Sequence, residues 1–179
     1  YFNKKNLKKM FNCKKNLNVK VIFTGKSSNT GERIKRVKNF LQDEFCLTYG
    51  DGLSDVNLYK LLNFHRKINN SLVTITSVLP QPRYGKLKFQ GSKISNFQEK
   101  QIEKENWING GFFVCNKKVF HFFKNKNPIF ESDILTKLAK KNFLYGYKHK
   151  GFWYCMDTLR DKRYLNSLWD QNKAPWKIW

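Results

Sequence analysis

Residues 44–52 carry the sequence EFCLTYGDG, in which a short apolar run leads directly into a glycine-flanked aspartate. The run from Glu44 to Tyr49 predicts a buried β-strand, and Gly50-Asp51-Gly52 predicts the loop that follows it. Before this strand, residues 31–41 place apolar side chains on one helical face. The local pattern is therefore a helix, a strand and a loop that presents Asp51.

The same alternation extends in both directions. Upstream, residues 18–24 (NVKVIFT) predict a strand. Downstream, Ser54 and Asp55 are expected to cap a helix that ends near Ile68, and residues 71–79 (SLVTITSVL) predict another strand. Strands that alternate with helices are typical of βαβ units. The predicted fold class is α/β, with a mixed, mostly parallel sheet flanked by helices.

The pattern changes after Pro80 and Pro82. The remaining segments predict a hairpin at 85–97, a strand at 109–115, a helix capped by Ser132 through Leu138, a strand at 143–147 and a last helix from Thr158 to about Trp169. No repeat or low-complexity linker interrupts them. The chain is therefore expected to form one domain over 1–179, in which 1–17 is a basic lead-in segment.

Composition argues against several classes of protein. The net charge of +22 suggests a polyanion partner. Most of the basic residues are Lys, however, and Arg is scarce. Arg is the residue whose planar guanidinium group makes paired hydrogen bonds to phosphates and bases. Nucleic-acid binding is therefore not favoured, although the Lys-rich segment 1–20 leaves a polyanion arm open beside a solvated surface. No apolar run is long enough to span a membrane.

The four cysteines indicate the compartment. Cys13, Cys46, Cys115 and Cys155 show no C-x-x-C spacing, so they predict reduced, buried side chains rather than a disulfide framework or a zinc site. A reduced, non-membrane protein is expected in the cytoplasm.

A second aspartate motif, Met156-Asp157-Thr158, also follows an apolar run. Two aspartates at strand ends can share a Mg²⁺ ion, which is held by one or two carboxylates plus substrate phosphates. Each aspartate also has a structural interpretation, because Asp-Gly favours turns and Asp157 could cap the last helix, with Thr158 sharing that role. Asp51 and Asp157 are the candidate metal ligands.

Two further segments carry polar groups suited to a sugar phosphate. Lys100 could neutralise a phosphate and Glu99 could accept sugar hydroxyls, or both could be ordinary surface residues. Asn109 and the glycine pair Gly110-Gly111 offer an amide and backbone N–H groups, or a simple turn.

Taken in order, eight segments resemble the bacterial glucose-1-phosphate cytidylyltransferases. They are Thr24-Gly25 through Thr30-Gly31-Glu32-Arg33, Tyr49-Gly50-Asp51-Gly52, Arg83-Tyr84-Gly85, Phe97-Gln98-Glu99-Lys100, Ile108-Asn109-Gly110-Gly111-Phe112-Phe113, Gly151-Phe152-Trp153, Met156-Asp157-Thr158-Leu159-Arg160-Asp161-Lys162 and Lys173-Ala174-Pro175-Trp176-Lys177. The resemblance covers residues 18–179. Its most specific parts are the segment that begins at Met156 and the tail.

The resemblance implies a Rossmann-like nucleotidyltransferase fold and a Mg²⁺-dependent reaction of CTP with glucose 1-phosphate that gives CDP-glucose and pyrophosphate, for surface polysaccharide synthesis. It also implies a homo-oligomer for the full-length enzyme. The roles that it implies are metal binding by Asp51 and Asp157, nucleotide binding by Ser28, Arg33 and Gly50, sugar-phosphate binding by Gly85, Glu99, Lys100, Asn109 and Gly110, and catalysis by Arg33 and Lys100.

The chain departs from the family pattern at its start. Such enzymes carry a Gly-Gly-x-Gly-Thr-Arg loop after their first strand, whose backbone binds the nucleotide phosphates, and this sequence has no such loop. With a first residue of Tyr1, we expect the N-terminal strands to be missing and the fragment to be catalytically incomplete alone. Lys26 and Gln101 are smaller departures. The alternatives are another sugar nucleotidyltransferase that uses UTP or dTTP, and a basic fragment repurposed to bind nucleic acid.

Overall fold

The computed structural model describes residues 19–82, 84–99 and 105–178. Its main sheet has four strands in the order β1-β6-β3-β7, formed by β1 (Glu44–Thr48), β6 (Ile108–Asn116), β3 (Val73–Val78) and β7 (Leu144–Lys148). A two-stranded sheet pairs β2 (Gly52–Ser54) with β8 (Trp153–Cys155), and a hairpin pairs β4 (Lys86–Gln90) with β5 (Lys93–Gln98).

The main sheet is mixed, and three of its four strands point the same way. β7 runs parallel to β3, whereas β6 is antiparallel to both β1 and β3. Only one of the three pairings is therefore parallel, so "mostly parallel" holds for strand direction and not for pairing. The cause is the connection from β3 to β6, whose described residues form a hairpin and no crossover helix, so that β6 returns in the opposite direction. The predicted α/β class is confirmed.

Four α-helices lie in the described part of the chain. They are α1 (Thr30–Arg36), α2 (Leu58–Arg66), α3 (Thr136–Lys140) and α4 (Leu159–Asp170). Two 3-10 helices span Lys38–Phe40 and Lys117–Phe122, and a π-helix at Phe130–Leu135 leads into α3. The predicted helix at 132–138 therefore begins earlier and with a wider first turn.

The cap predicted for α2 is wrong. Its N-cap is Asn57, whose side chain accepts a hydrogen bond from the Lys60 backbone N–H at 2.9 Å. Ser54 and Asp55 instead bind the backbone near Phe152: Ser54 Oγ donates to the Phe152 carbonyl at 2.9 Å and the Asp55 N–H donates to it at 3.2 Å. Both residues therefore hold β2 in place.

Aromatic rings dominate the core. Phe113 of β6 and Phe130 are each 1% exposed and meet edge to face, with ring centroids 5.6 Å apart. Tyr49 packs edge to face on Phe113 at 5.5 Å. Such pairs add to the free energy of burial. They tie the end of β1 to the centre of the core.

The strand predicted at 18–24 is wrong for the described residues 19–24, which adopt no regular secondary structure. Val21 is 61% exposed and Phe23 is 83% exposed. Within the described ranges no strand pairs with this segment. Its alternating pattern therefore lacks the neighbour that a sheet requires.

The hairpin β4–β5 confirms the prediction at 85–97 but lies outside the core. Its apolar side chains Leu87, Phe89, Ile94 and Phe97 are all exposed.

In the described ranges no helix is long and apolar enough to cross a membrane.

A buried polar triad joins α2 to β3. His65 is 4% exposed, and its Nδ1 lies 2.8 Å from Thr74 Oγ1 and 3.1 Å from Ser71 Oγ. Burial lowers the pKa of His65 because the protonated ring would lose its hydration. The triad gives the buried hydroxyl group of Thr74 in β3 hydrogen-bond partners.

Candidate active site

One edge of the main sheet collects the loops that carry the predicted site residues. β1, β3 and β7 all end at this edge, and β6 begins there because it runs the other way. Residues 49–51, 80–82 and 149–152 follow the three strand ends, and Asn109 lies at the start of β6. Ligands in open α/β sheets bind beyond such strand ends.

The small sheet β2–β8 brings the two aspartates together. Its register pairs Gly52 with Cys155, and the Met156 N–H donates to the Asp51 carbonyl at 2.9 Å. Asp51 directly precedes β2, and Asp157 directly follows Met156, the residue that makes this hydrogen bond. Antiparallel pairing of these two short strands therefore places the residues side by side, as the sequence predicted.

Asp51, Cys155 and Asp157 form a cluster of potential ligand atoms. One carboxylate oxygen from each aspartate and the Cys155 Sγ all lie within 4.8 Å of one another. Cys155 Sγ also donates to Asp157 Oδ1 at 3.1 Å. Both aspartates are exposed and Cys155 is half-buried. The cluster is therefore open to a solute on one side.

Thr158, and not Asp157, caps α4. The Thr158 side chain accepts from the Asp161 N–H at 3.2 Å, and Asp161 Oδ2 accepts from the Thr158 N–H at 2.9 Å, which completes a capping box. Asp161 is buried, and its Oδ1 accepts from the Tyr154 hydroxyl at 3.1 Å. The helix-cap interpretation of Asp157 is therefore wrong, and the box fixes the backbone next to it.

Tyr49 supports the Asp51 loop from below. Its hydroxyl donates to Glu131 and accepts from Asn109 Nδ2 at 3.1 Å. Burial and the neighbouring Glu131 carboxylate raise the pKa of Tyr49 well above its usual value. Glu131 also accepts from Thr30 Oγ1 at 2.7 Å. This network links α1, β1 and β6 beneath the loop.

Asn109 and its two glycines are tightly built into the site. Asn109 Oδ1 accepts from the Gly111 N–H at 2.9 Å, and the Gly110 carbonyl accepts from Trp153 Nε1 at 2.7 Å. Gly111 has φ +76, and a Cβ added there would lie 2.7 Å from the Tyr49 ring. Only glycine allows this close approach in the left-handed region.

A cavity of about 490 Å³ adjoins the cluster on the side of Asp157. Asp157 and Cys155 belong to its wall, which also includes Tyr84, Trp153 and Arg160. Its volume falls in the range of small-molecule sites, and aromatic faces with a few charged groups are typical of their lining. Tyr84, Trp153 and Arg160 lie in segments that carry the family resemblance, but none of them was predicted to line a site.

The hairpin base holds two of the predicted sugar-phosphate residues together. A Cβ at Gly85 would lie 3.0 Å from Glu99 Oε2 and 2.8 Å from the Phe97 ring. Gly85 follows the cavity residue Tyr84. Lys100 lies outside the described residues.

Ser28 and Arg33 form a second cluster at the start of α1. Arg33 Nη1 donates to Thr24 Oγ1 at 3.0 Å and Nη2 to the Lys26 carbonyl at 3.3 Å, and Ser28 Oγ donates to the Thr24 carbonyl. Their described contacts are with this loop and not with Asp51 or Asp157. Gly50 faces open space, since a Cβ there would meet nothing within 4 Å.

The comparisons with known proteins give the family. A family model described as "Nucleotidyl transferase" matches residues 1–173. The chain belongs to this nucleotidyl transferase family. It is 43% identical to the glucose-1-phosphate cytidylyltransferase of Salmonella typhi and 42% identical to that of Salmonella typhimurium, in each case over 90% of this chain. These relatives confirm the resemblance inferred from the sequence. The chain spans 63% of their length.

A solved structure shares the fold of this nucleotidyl transferase. HddC from Yersinia pseudotuberculosis, complexed with GMP-PN, superposes with a TM-score of 0.58 at 21% identity, over 80% of this chain and 63% of that one. This likeness concerns the fold alone.

Several residues of this nucleotidyl transferase site were missed by sequence reasoning. Thr158 was predicted to share the cap of the last helix, but its partner Asp161 was missed although the two have capping-box spacing. Tyr49 and Glu131 are 82 residues apart and gave no such signal. Cys155 was predicted to be buried and is half-buried, and Cys46, given the same prediction, is exposed. Cys115 is buried as expected.

Another missed pair lies behind the small sheet. His149 Nε2 is 2.8 Å from Asp55 Oδ1, and a Cβ at Gly151 would lie 2.5 Å from that oxygen. The pair joins the loop after β7 to β2. It therefore helps to position the segment that presents Asp157.

Proposed function

We propose that this chain belongs to an enzyme that transfers a cytidylyl group from CTP to α-D-glucose 1-phosphate, giving CDP-glucose and pyrophosphate with Mg²⁺ as the cofactor. The observation that carries the proposal is the meeting of the Asp51 and Asp157 carboxylates beside a cavity, although they lie 106 residues apart in the sequence. The identity of the substrates rests on the names of the relatives.

The donor set fits Mg²⁺. Two carboxylate oxygens within 4.8 Å of each other can bind one ion, and their exposure leaves positions for water and for substrate phosphate. A bound Mg²⁺ would neutralise charge on the phosphates of the nucleotide. Asp51 and Asp157 would hold it, and the β2–β8 ladder with the Thr158–Asp161 box would keep both carboxylates in position.

The reaction needs little proton transfer from the protein. A phosphate monoester carries nearly two negative charges at pH 7, because its second pKa is about 6. Its oxygen can therefore attack the α-phosphorus of CTP without a general base, forming one P–O bond while the bond to the β-phosphate oxygen breaks. Pyrophosphate takes the electron pair of that bond as it leaves. Positioning and charge stabilisation are the main tasks left to the chain.

The cavity is the proposed place of the sugar phosphate. Tyr84 and Trp153 offer flat faces to a sugar ring, and Arg160 offers a cation to its phosphate. Glu99 at the hairpin base would accept sugar hydroxyls, with Gly85 leaving room for its carboxylate. Lys100 would pair with the phosphate, and Asn109 and Gly110 would complete the pocket wall.

The nucleotide is proposed to lie across the Asp51 loop. Gly50 leaves open space in which a triphosphate can approach the backbone. Ser28 and Arg33 would bind it from the start of α1, with Arg33 and Lys100 stabilising the charge that develops on the phosphates. A homo-oligomer and a cytoplasmic location are part of the same proposal.

The product test uses ³¹P NMR of a mixture of CTP, glucose 1-phosphate, Mg²⁺ and an enzyme in which this chain is restored to the full length of its relatives, because the chain alone is expected to be catalytically incomplete. We expect resonances of a nucleotide sugar and of pyrophosphate, and their loss in Asp157→Asn but not in Asp170→Asn, an exposed aspartate at the end of α4. Faster product formation with UTP or dTTP would refute the choice of cytidine. No nucleotide sugar with any of the three would refute the reaction.

A binding test addresses the sugar-phosphate roles separately. Calorimetric titration with glucose 1-phosphate should show weaker binding in Glu99→Gln and Lys100→Ala than in Lys93→Ala, a matched surface change on the same hairpin. Equal affinity in all of these variants would remove the hairpin base from the pocket.

A further inference from the structure

Cys155 lies within the carboxylate cluster and not merely near it. Its Sγ is one of three ligand atoms that all lie within 4.8 Å of one another, and it contacts Asp157 Oδ1 at 3.1 Å. It belongs to the cavity wall, as Asp157 does. A solute that reaches the Asp157 carboxylate from the cavity therefore also reaches the sulfur.

The other described cysteines differ from it in these respects. Cys115 is buried, and burial strongly raises the pKa of its thiol. Cys46 is exposed on β1, in register with Val114 and away from Asp51. Cys155 is opposite Gly52 in the β2–β8 ladder, and glycine places no side chain beside the thiol. Of the described cysteines, Cys155 is therefore the one whose sulfur lies beside both carboxylates.

Oxygen and sulfur ligands select different ions. Mg²⁺ takes oxygen ligands and avoids sulfur, whereas Zn²⁺ and similar thiophilic ions combine a thiolate with carboxylates. The two aspartates alone suit Mg²⁺, and the full cluster of three suits a softer ion.

We propose that Cys155 is a third protein ligand at the Asp51–Asp157 site, through which the site binds Zn²⁺ or Cd²⁺ in competition with Mg²⁺. The proposal rests on the metal role assigned to the two aspartates under the proposed function. The metal–sulfur bond forms as the thiol gives up its proton to solvent. A thiophilic ion bound in this way uses a position that Mg²⁺ leaves to water or phosphate, so it inhibits the transfer reaction.

Cadmium gives a readout that does not depend on activity. A Cd²⁺–thiolate bond produces an ultraviolet charge-transfer absorption, and Cd²⁺ itself can be titrated into the protein. The other accessible or undescribed thiols are first removed with Cys13→Ser and Cys46→Ser. In this background we expect an absorption that saturates at one Cd²⁺ per chain.

Three variants in the same background decide the assignment. Cys155→Ser should abolish the absorption, and Asp51→Asn and Asp157→Asn should each weaken Cd²⁺ binding at least about tenfold. Absorption that persists in Cys155→Ser, or that is absent while Cys155 is present, overturns the proposal. Absorption that depends on Cys155 but not on either aspartate also overturns it, because a single thiol would then be binding alone. Circular dichroism of each variant establishes that it is folded.

Mn²⁺ serves as the hard-ion control. Cys155→Ser should change Mn²⁺ affinity much less than Cd²⁺ affinity, because Mn²⁺ favours the carboxylates. Equal losses for both ions would overturn the sulfur assignment. The proposed function is refuted by a different result, the absence of a nucleotide sugar in the ³¹P assay. The Cd²⁺ titration can therefore be interpreted whatever that assay shows.

Discussion

Replacing Gly111 with alanine tests the packing that supports the Asp51 loop. Gly111 has φ +76 and sits beneath Tyr49, whose backbone N–H donates to the Gly111 carbonyl at 3.0 Å. An added Cβ would lie 2.7 Å from Tyr49 Cδ2, 3.2 Å from Cγ and 3.3 Å from Cβ. The nearest of these distances is below any ordinary contact, and it involves a ring that is itself packed on Phe113. Either the ring or the backbone has to move.

Two costs add up in Gly111→Ala. An L-residue in the left-handed region costs roughly 1–2 kcal/mol. Overpacking beside a ring that cannot move freely costs a further 1–3 kcal/mol or so. The free energy of unfolding should therefore fall by about 2–5 kcal/mol, a large part of the roughly 5–15 kcal/mol available to a typical domain.

Gly91→Ala is the matched control. Gly91 also has a left-handed backbone, with φ +58, but nothing lies within 4 Å of the position of its Cβ. The free energy of unfolding of Gly91→Ala should therefore fall only by the backbone cost, roughly 1–2 kcal/mol. Urea unfolding followed by tryptophan fluorescence and circular dichroism gives both values. If Gly111→Ala is no less stable than Gly91→Ala, the close approach of Gly111 to Tyr49 does not constrain the protein and the account of this loop is refuted.

Two further changes test the cap and the buried histidine. Thr158→Ala should lower the free energy of unfolding by about 1 kcal/mol, measured in urea, because the capping hydroxyl is lost. Thr158→Ser retains this hydroxyl and should keep most of that stability. An equal loss of unfolding free energy in both variants would contradict the capping box. Because burial lowers the pKa of His65, the unfolded chain binds a proton more readily, so stability is present above the unfolded value of 6.5 and is lost as pH falls below it. His65→Gln should flatten this loss, which is at most about 1.4 kcal/mol per pH unit, between pH 7 and pH 5; an unchanged slope would assign it to other groups.

The strands that pack on the core were predictable because each carries its own apolar pattern. β3 (Val73–Val78) and β6 (Ile108–Asn116) fall within about two residues of their predicted positions. Pairing order is different, since it depends on how distant segments meet. The antiparallel insertion of β6 between β1 and β3 follows from the route of the chain and not from any local pattern.

Residues 18–24 show how a local pattern can mislead. Alternation of Val19, Val21 and Phe23 resembles a half-buried strand, yet all three are exposed and unpaired with any strand in the described ranges. Cap choice was equally difficult, because Ser54, Asp55 and Asn57 are all good N-cap residues and tertiary contacts with Phe152 occupy the first two.

Part of the candidate site could be predicted from the sequence. Asp51 and Asp157 were predicted to meet because each follows a short apolar run, and the structure places them side by side. The hydrogen-bond network that supports the Asp51 loop could not be predicted, because Tyr49, Glu131 and Asn109 are distant in the sequence and meet only in the folded protein. The substrate-binding roles of Asn109, Ser28 and Arg33 stay predictions.

Asp51 and Asp157 are proposed to share a divalent metal ion. Electron paramagnetic resonance of Mn²⁺, titrated into the protein, measures this directly by separating free from bound ion. We expect one bound Mn²⁺ per chain, with affinity at least about tenfold weaker in Asp51→Asn and in Asp157→Asn and unchanged in Asp170→Asn. Mn²⁺ binding that is the same in all four proteins, or absent from the unaltered chain, would contradict the metal role of the two aspartates.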